Sequence, residues 1–155
     1  MIALLLAAAL PWVEMSGGPV MLRESGRAGL GTGPMVRVEV GFPVAERLAA
    51  EAWLSGAMES APLSAPGDRA LLGAGIGGRA LIADIGGQLG MWVHVGAGWG
   101  APAAGGGGTG PAGFGGLLLS FQPFVQRFSL GLEADAVAWH NSYGLAVLPF
   151  LRCAF

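Results

Sequence analysis

The sequence predicts an all-β fold, an eight-stranded antiparallel transmembrane β-barrel, and three observations lead to it. Apolar residues make up 53% of the 155 residues and charged residues only 12%, against roughly 25% charged in an average soluble domain. No window of about 18 to 20 residues is free of both charge and clustered glycine, as a spanning helix requires. Side chains alternate with the period of a β-strand. Because a bilayer accepts only helices and closed barrels, these observations together indicate a barrel.

The N-terminal segment 1–15 is predicted to be a secretory signal peptide. An apolar run rich in Leu and Ala is followed by Pro11, although no basic residue precedes the run. Cleavage is expected between Ala9 and Ser16, which leaves 16–155 as the outer-membrane β-barrel domain. The alternative is that the run forms an ordinary buried first strand or helix.

Seven strands are predicted from alternation along the chain. The clearest lies around 128–138, where Leu130 and Leu132 share one face while Glu133 and Asp135 share the other. An eighth strand at about Pro19–Ala28 is needed to close an even-numbered barrel with both ends on the periplasmic side, although its own pattern is poor. The seven clear strands fall at about 36–42, 48–55, 70–79, 89–99, 116–122, 128–138 and 143–155.

The connections between these strands are of two kinds. Pro43–Glu46, Asp84–Gly87 and Pro123–Gln126 are short and are predicted to be periplasmic turns. Ser60–Asp68 and Ala101–Gly110 are long and rich in Gly, Pro and Ser, which is typical of outer loops. The alternation of short and long connections agrees with an up-and-down barrel.

The last strand carries the most specific signature. It ends at the aromatic Phe155, with Leu151 and Cys153 at alternate positions before it. This ending resembles the terminal strand of small eight-stranded outer-membrane barrels such as the OmpA membrane domain and the OmpX type. The resemblance covers about residues 19–155. It implies a location in the bacterial outer membrane and a terminal strand that the barrel-assembly machinery reads.

If the apolar faces point to lipid, the opposite faces enclose a polar network in the barrel interior. An eight-stranded barrel is just wide enough for side chains to fill, so we expect a packed core and not a pore. Enclosed charges are costly unless paired, and we expect Arg79 and Arg152 each to contact Glu133, Asp135 or Glu51. The predicted network consists of Arg37, Glu39, Glu51, Arg79, His94, Glu133, Asp135 and Arg152.

Cofactor, metal and nucleic-acid sites are not predicted. The glycine spacing of 73–78 matches a dinucleotide-binding fingerprint, but no acidic residue lies about 20 positions downstream and no βαβ unit follows. His94 and His140 are the only histidines, and no cysteine accompanies them in a metal-ligand spacing. A net charge of −2 without any lysine gives no electrostatic basis for binding a polyanion.

His140 and Ser142 form the pattern most typical of catalysis. Two residues apart on a strand, they share a face, as a general base and its nucleophile require. The segment His140-Asn-Ser142 is similar to the H-x-S-N motif of lipid A deacylases of the PagL type, and the resemblance implies His140 as base and Ser142 as nucleophile. Tyr143 replaces the Asn of that motif, and no acid follows Asp135 to orient the histidine. A polar hairpin tip is the other explanation of these residues.

The leading interpretation is a non-enzymatic outer-membrane barrel with a structural, adhesive or envelope-assembly role. Its expected neighbours are membrane lipid and other envelope proteins. Two alternatives stay open. One is a lipid A deacylase-like hydrolase using His140 and Ser142, and the other is a periplasmic β-sheet lipid binder whose apolar faces turn inward.

Overall fold

The computed structural model describes residues 10–25, 29–59, 69–103, 109–123 and 127–155. Within these residues the chain forms a closed barrel of eight antiparallel strands, each hydrogen-bonded to the next and the last to the first. The predicted fold class is confirmed. The strands are β1 (Trp12–Glu24), β2 (Gly31–Ala45), β3 (Leu48–Glu59), β4 (Arg69–Ile85), β5 (Leu89–Pro102), β6 (Gly110–Phe121), β7 (Phe128–Trp139) and β8 (Ser142–Ala154).

The start of β1, the end of β8 and the β2–β3 and β4–β5 turns lie at one end of the barrel, called here the periplasmic end. The turns predicted at 43–46 and 84–87 fall slightly later, at 46–47 and 86–88, because β2 and β4 continue further than their alternation suggested. Pro43 does not end β2, although the β2–β3 register shifts just after it. The turn positions therefore agree with an up-and-down barrel.

The other predicted connections fall largely outside the described residues. The β3–β4 loop predicted at 60–68 lies outside the described residues, and so do residues 124–126 of the connection predicted at 123–126. The predicted loop 101–110 is shorter in the structure, because β5 and β6 each extend into it. Its residues 104–108 lie outside the described part of the chain.

The first strand begins at Trp12 and ends at Glu24, whereas the sequence placed it at about Pro19–Ala28. Residues 12–15, assigned above to the signal segment, pair with both β2 and β8. In this fold the barrel therefore starts before Ser16. Residues 1–9 lie outside the described residues, and the signal peptide stays a prediction.

The reason for the misplaced strand is visible in its two faces. Val13 and Met15 point outward and are apolar, so they extend the apolar run that precedes them in the sequence. Only the inward residues Trp12, Glu14 and Ser16 show the period of a strand. An apolar leader and the outer face of a barrel strand have the same composition, because each is suited to a bilayer.

The apolar faces of the strands point outward. Ile76 is 74% exposed and Val95 62% exposed, and large apolar side chains of every strand accompany them on the outer surface. The alternative of a lipid binder with its apolar faces turned inward is therefore wrong. Among the described residues, no helix is long and apolar enough to cross a membrane.

Candidate functional site

The polar network of the interior comes from inward positions of seven strands. Seven of its eight predicted members are buried, and the eighth, Arg152, has a side chain only 12% exposed. The structure adds one carboxylate that the sequence interpretation omitted, Glu14 on β1, which is 1% exposed. Charges from strands far apart in sequence thus meet inside one tube.

Arg37 of β2 is the centre of one half of this network, the Arg37 cluster. Its Nε lies 2.9 Å from Glu39 Oε1, and its Nη2 lies 2.7 Å from Asp135 Oδ2 and also contacts Glu133. The guanidinium carbon lies 4.0 Å from the ring centroid of Phe114, a cation–π contact. One fully buried guanidinium therefore ties β2 to β7 across the lumen.

Arg79 of β4 is the centre of the other half, the Arg79 cluster. It contacts Glu51 of the neighbouring β3, and its Nη2 lies 2.6 Å from Glu39 Oε2 and 3.1 Å from Glu14 Oε1. The contact with Glu51 is one of those expected from the sequence. Because Glu39 also contacts Arg37, it joins the two clusters into one network.

Arg152 does not take the partner expected for it. Its Nε donates to Glu14 Oε2 at 2.7 Å, in place of the predicted contact with Glu133, Asp135 or Glu51. Glu14 was missed because it falls within the segment assigned to a signal peptide. The period-two pattern of Trp12, Glu14 and Ser16 was the signal that could have found it.

The indole of Trp12 contacts two of these cations. The guanidinium carbon of Arg79 lies 4.1 Å from the ring centroid and that of Arg152 lies 4.6 Å from it. The ring occupies the space above Gly41 of β2, where an added Cβ would come within 1.9 Å of a ring atom. A glycine at this inward position therefore makes the stacking possible.

His94 of β5 occupies the edge of the Arg37 cluster. Its Nε2 lies 2.6 Å from Asp135 Oδ1, whereas its Nδ1 has no hydrogen-bond partner among the described residues. Glu39, His94 and Glu133 each offer one ligand atom, and these atoms lie within 4.8 Å of one another. Sequence spacing gave no metal site because the two carboxylates come from other strands.

Apolar clusters lie on both sides of the charged layer. The larger one contains Trp53, Phe114 and Trp139, and Trp53 and Phe114 meet edge to face with centroids 5.5 Å apart. The smaller one, toward the periplasmic end, is built around Trp92 and Phe150. A cavity of about 50 Å³ opens at that end beside Trp12 and Arg152. Side chains of the charged layer and of the two apolar clusters meet inside the barrel, and eight strands leave an interior just wide enough for side chains.

The pair that the hydrolase alternative would use, His140 and Ser142, is not assembled as a dyad. Ser142 is buried at the start of β8, paired with Trp139, and points inward. His140 is exposed in the β7–β8 turn with a φ of 43°, and its ring lies over Gly110. Both residues are described, and no hydrogen bond joins their side chains. The turn between them gives the two side chains different directions, so the expectation of a shared face is wrong.

The fold matches solved bacterial barrels over nearly its whole length. Neisserial surface protein A is 13% identical, with a TM-score of 0.77 over 94% of this chain and 97% of that one. Ail, the attachment invasion locus protein of Yersinia pestis, is 12% identical, with a TM-score of 0.65 over 95% and 99%. The N-terminal β-barrel domain of Pseudomonas aeruginosa OprF is 13% identical, with a TM-score of 0.55 over 93% and 97%. No protein family and no curated protein matches.

These similarities confirm the resemblance to small outer-membrane barrels at the level of the fold. The predicted location, the bacterial outer membrane, is that of these neighbours and suits the apolar outer surface. The chain is therefore a small eight-stranded antiparallel β-barrel of the bacterial outer-membrane type.

Proposed function

We propose that this barrel is a non-conducting structural element of the outer membrane. One observation carries the proposal: a layer of buried ion pairs fills the lumen between two apolar clusters. Its outer surface is apolar and suited to lipid. The role is therefore to span the bilayer stably and to hold the connections at its two ends.

The electrostatics of the interior support a closed lumen over a gated channel. Glu39 contacts both Arg37 and Arg79, and Glu14 contacts both Arg79 and Arg152. Leaving one of these buried charges without any partner would cost about 3–5 kcal/mol. Opening a pore would require several of these contacts to break together.

Conductance measurements test this proposal. The purified, folded barrel is incorporated into planar lipid bilayers, beside a general porin as the positive control. We expect no stepwise openings from the wild-type barrel. Incorporation is verified by heat-dependent mobility on unboiled gels of the recovered protein. Regular openings of constant size in the wild type would contradict the structural role.

A matched variant shows whether the charged layer closes the lumen. Replacing both Arg37 and Glu133 by Ser removes one cation and one anion, so the interior keeps its net charge while it loses volume. If the layer is the barrier, this variant conducts and the wild type does not. If the variant also fails to conduct ions, the barrier to conduction lies in the apolar clusters.

The adhesive, envelope-assembly and hydrolase roles are separate proposals, and no contact among the described residues favours them over the structural one. The hydrolase is the easiest to test. Lipid A from cells that express the wild type is compared by mass spectrometry with lipid A from cells that express Ser142→Ala. We expect identical masses, because His140 and Ser142 are not joined. A loss of one acyl chain that depends on Ser142 would establish the hydrolase.

A further inference from the structure

We propose that the barrel interior binds one divalent transition-metal ion between Glu39, His94 and Glu133. These three side chains lie at the middle of the charged layer, on β2, β5 and β7, and all are buried. One ligand atom of each lies within 4.8 Å of the other two. The barrel thus brings together a nitrogen and two oxygen donors that are far apart in sequence.

The first argument is the charge of the interior. Among the described residues, five buried carboxylates face three guanidinium groups, so two negative charges have no counter-charge when all five carboxylates are ionised and His94 is neutral. Glu14 lies beside Glu39 and Glu133, where carboxylates repel one another unless they share a proton or a cation. Enclosed charge requires compensation, and a dication supplies two positive charges in one ion. The charged residues concerned are Glu14, Arg37, Glu39, Glu51, Arg79, Glu133, Asp135 and Arg152.

The second argument is the orientation of His94. Its Nε2 lies 2.6 Å from Asp135 Oδ1, and a carboxylate at that distance keeps the proton on Nε2. The lone pair is then on Nδ1, which has no hydrogen-bond partner among the described residues although the side chain is fully buried. Metal-ligating histidines almost always donate their other N–H to a carboxylate or carbonyl in this way. His94 therefore has the environment of a ligand.

The third argument concerns one oxygen of each carboxylate that makes no hydrogen bond among the described residues. Glu133 contacts Arg37 through Oε2, whereas its Oε1 has no hydrogen-bond partner among the described residues. Glu39 Oε1 lies 2.9 Å from Arg37 Nε but makes no hydrogen bond there. Buried polar atoms without partners are rare in folded proteins. An ion between these oxygens and His94 would satisfy all three.

The donor set indicates which metal to use as the probe. One imidazole and two carboxylates, without a thiolate, suit Zn²⁺ and other first-row dications more than soft Cu⁺. Mg²⁺ and Ca²⁺ prefer oxygen donors alone and are expected to bind more weakly. The competing explanation is that two protons, instead of one ion, neutralise the excess carboxylates.

Refolding with and without metal tests the proposal. The chain is refolded in detergent with one equivalent of Zn²⁺ because the site is enclosed, and it is then desalted. We expect close to one Zn²⁺ per folded chain by elemental analysis, and the folded fraction is read from heat-dependent gel mobility. Folded wild type that retains no Zn²⁺ would overturn the proposal in favour of protons.

Variants locate the ion. His94→Gln should abolish retention of Zn²⁺, and Asp135→Asn should weaken binding roughly 10- to 100-fold, as loss of a supporting partner does. Glu51→Gln is the matched control, since Glu51 is an equally buried carboxylate outside the three ligands. Glu51→Gln should retain Zn²⁺. Equal retention in wild type and in folded His94→Gln would mean binding elsewhere and would refute the site.

A measurement on the wild type decides the question even if His94→Gln fails to fold. The chain has two histidines, so ¹⁵N labelling of histidine gives two sets of ring signals, which His140→Gln assigns. We expect Zn²⁺ to shift the Nδ1 signal of His94 and to leave His140 unchanged. Ring signals of His94 that are the same with and without Zn²⁺ would refute the site.

Discussion

The inner and outer faces of the same strands place opposite demands on the sequence. On β7, Leu130 and Leu132 point outward and are about half exposed. Glu133 and Asp135 point inward on the same strand and are buried. The outer face needs only apolar side chains, because lipid accepts any of them. The inner face needs particular partners, because each buried charge must meet another.

This difference shows that stability has two sources in the barrel. Outside, it depends on a summed preference for lipid that no single residue determines. Inside, it depends on individual contacts such as those of Arg37 with Glu133 and Asp135. A substitution inside the barrel should therefore lower stability strongly when it removes the partner of a buried charge. A substitution on the outer face should do so only when it introduces a charge.

Arg37→Ala should give the largest loss of stability. It leaves Glu39, Glu133 and Asp135 without their shared cation, and removal of one partner of a buried ion pair costs about 3–5 kcal/mol. Urea unfolding in lipid vesicles, followed by gel mobility, measures the change. Arg127→Ala is the control, since Arg127 is exposed in the β6–β7 connection. Equal midpoints for the two variants would show that the inner contacts do not stabilise the barrel.

A charge placed on the outer face should have the next largest effect. Val147 lies on the lipid side near the middle of β8, and Val147→Arg should cost about 2–4 kcal/mol, as at other barrel midplanes. Tyr143 lies on the same face at the outer end of the strand, where the same substitution should cost about 0–1 kcal/mol. The two variants are compared by the same unfolding measurement. A similar cost at both depths would argue against a lipid-facing surface.

Gly41→Ala tests how closely the interior is packed. The added Cβ would overlap the ring of Trp12, and overpacking of this kind costs about 1–3 kcal/mol. Gly17→Ala is the matched control, because its Cβ would meet its nearest atom, Met35 O, at an ordinary 3.5 Å. The free energy of unfolding should fall only for Gly41→Ala. If both variants kept the wild-type value, Trp12 would not be held over Gly41.

The two ends of the chain show how far the sequence could be interpreted. β8 was predicted within one or two residues, because large apolar side chains recur at alternate positions up to Phe155, with Gly144, Ala146 and Arg152 between them. Its hydrogen-bonded neighbour β1 was placed too late, because its outer face continues an apolar run. Alternation reveals a strand only where its two faces differ in size or polarity, and at the start of β1 Glu14 is the one charged residue that marks the inner face.

The partners inside the barrel were predicted less well than the face they share. Parity along each strand was enough to place Arg79 and His94 inward. Pairing depends on the stagger between strands and on which side chains cross the lumen, and neither is encoded by local spacing. For this reason Arg152 was assigned to acids of β3 and β7, while its partner Glu14 lies on β1. The grouping of His94 with Glu39 and Glu133 was missed for the same reason, because these residues lie on three different strands.

The smallest effect is expected at the outer hairpin, where the two histidines of the chain can be compared. His94 is enclosed and bonded to Asp135, whereas His140 is exposed in a turn with a φ of 43°, a conformation that favours glycine. His140→Gly should therefore raise the free energy of unfolding slightly, by less than about 1 kcal/mol, because relief of the backbone is partly offset by the entropy of the unfolded glycine. The urea midpoint, measured beside the wild type, should move little. A clear loss of stability would mean that the ring of His140 over Gly110 packs the hairpin in place, and the outer end would then depend on specific contacts as the interior does.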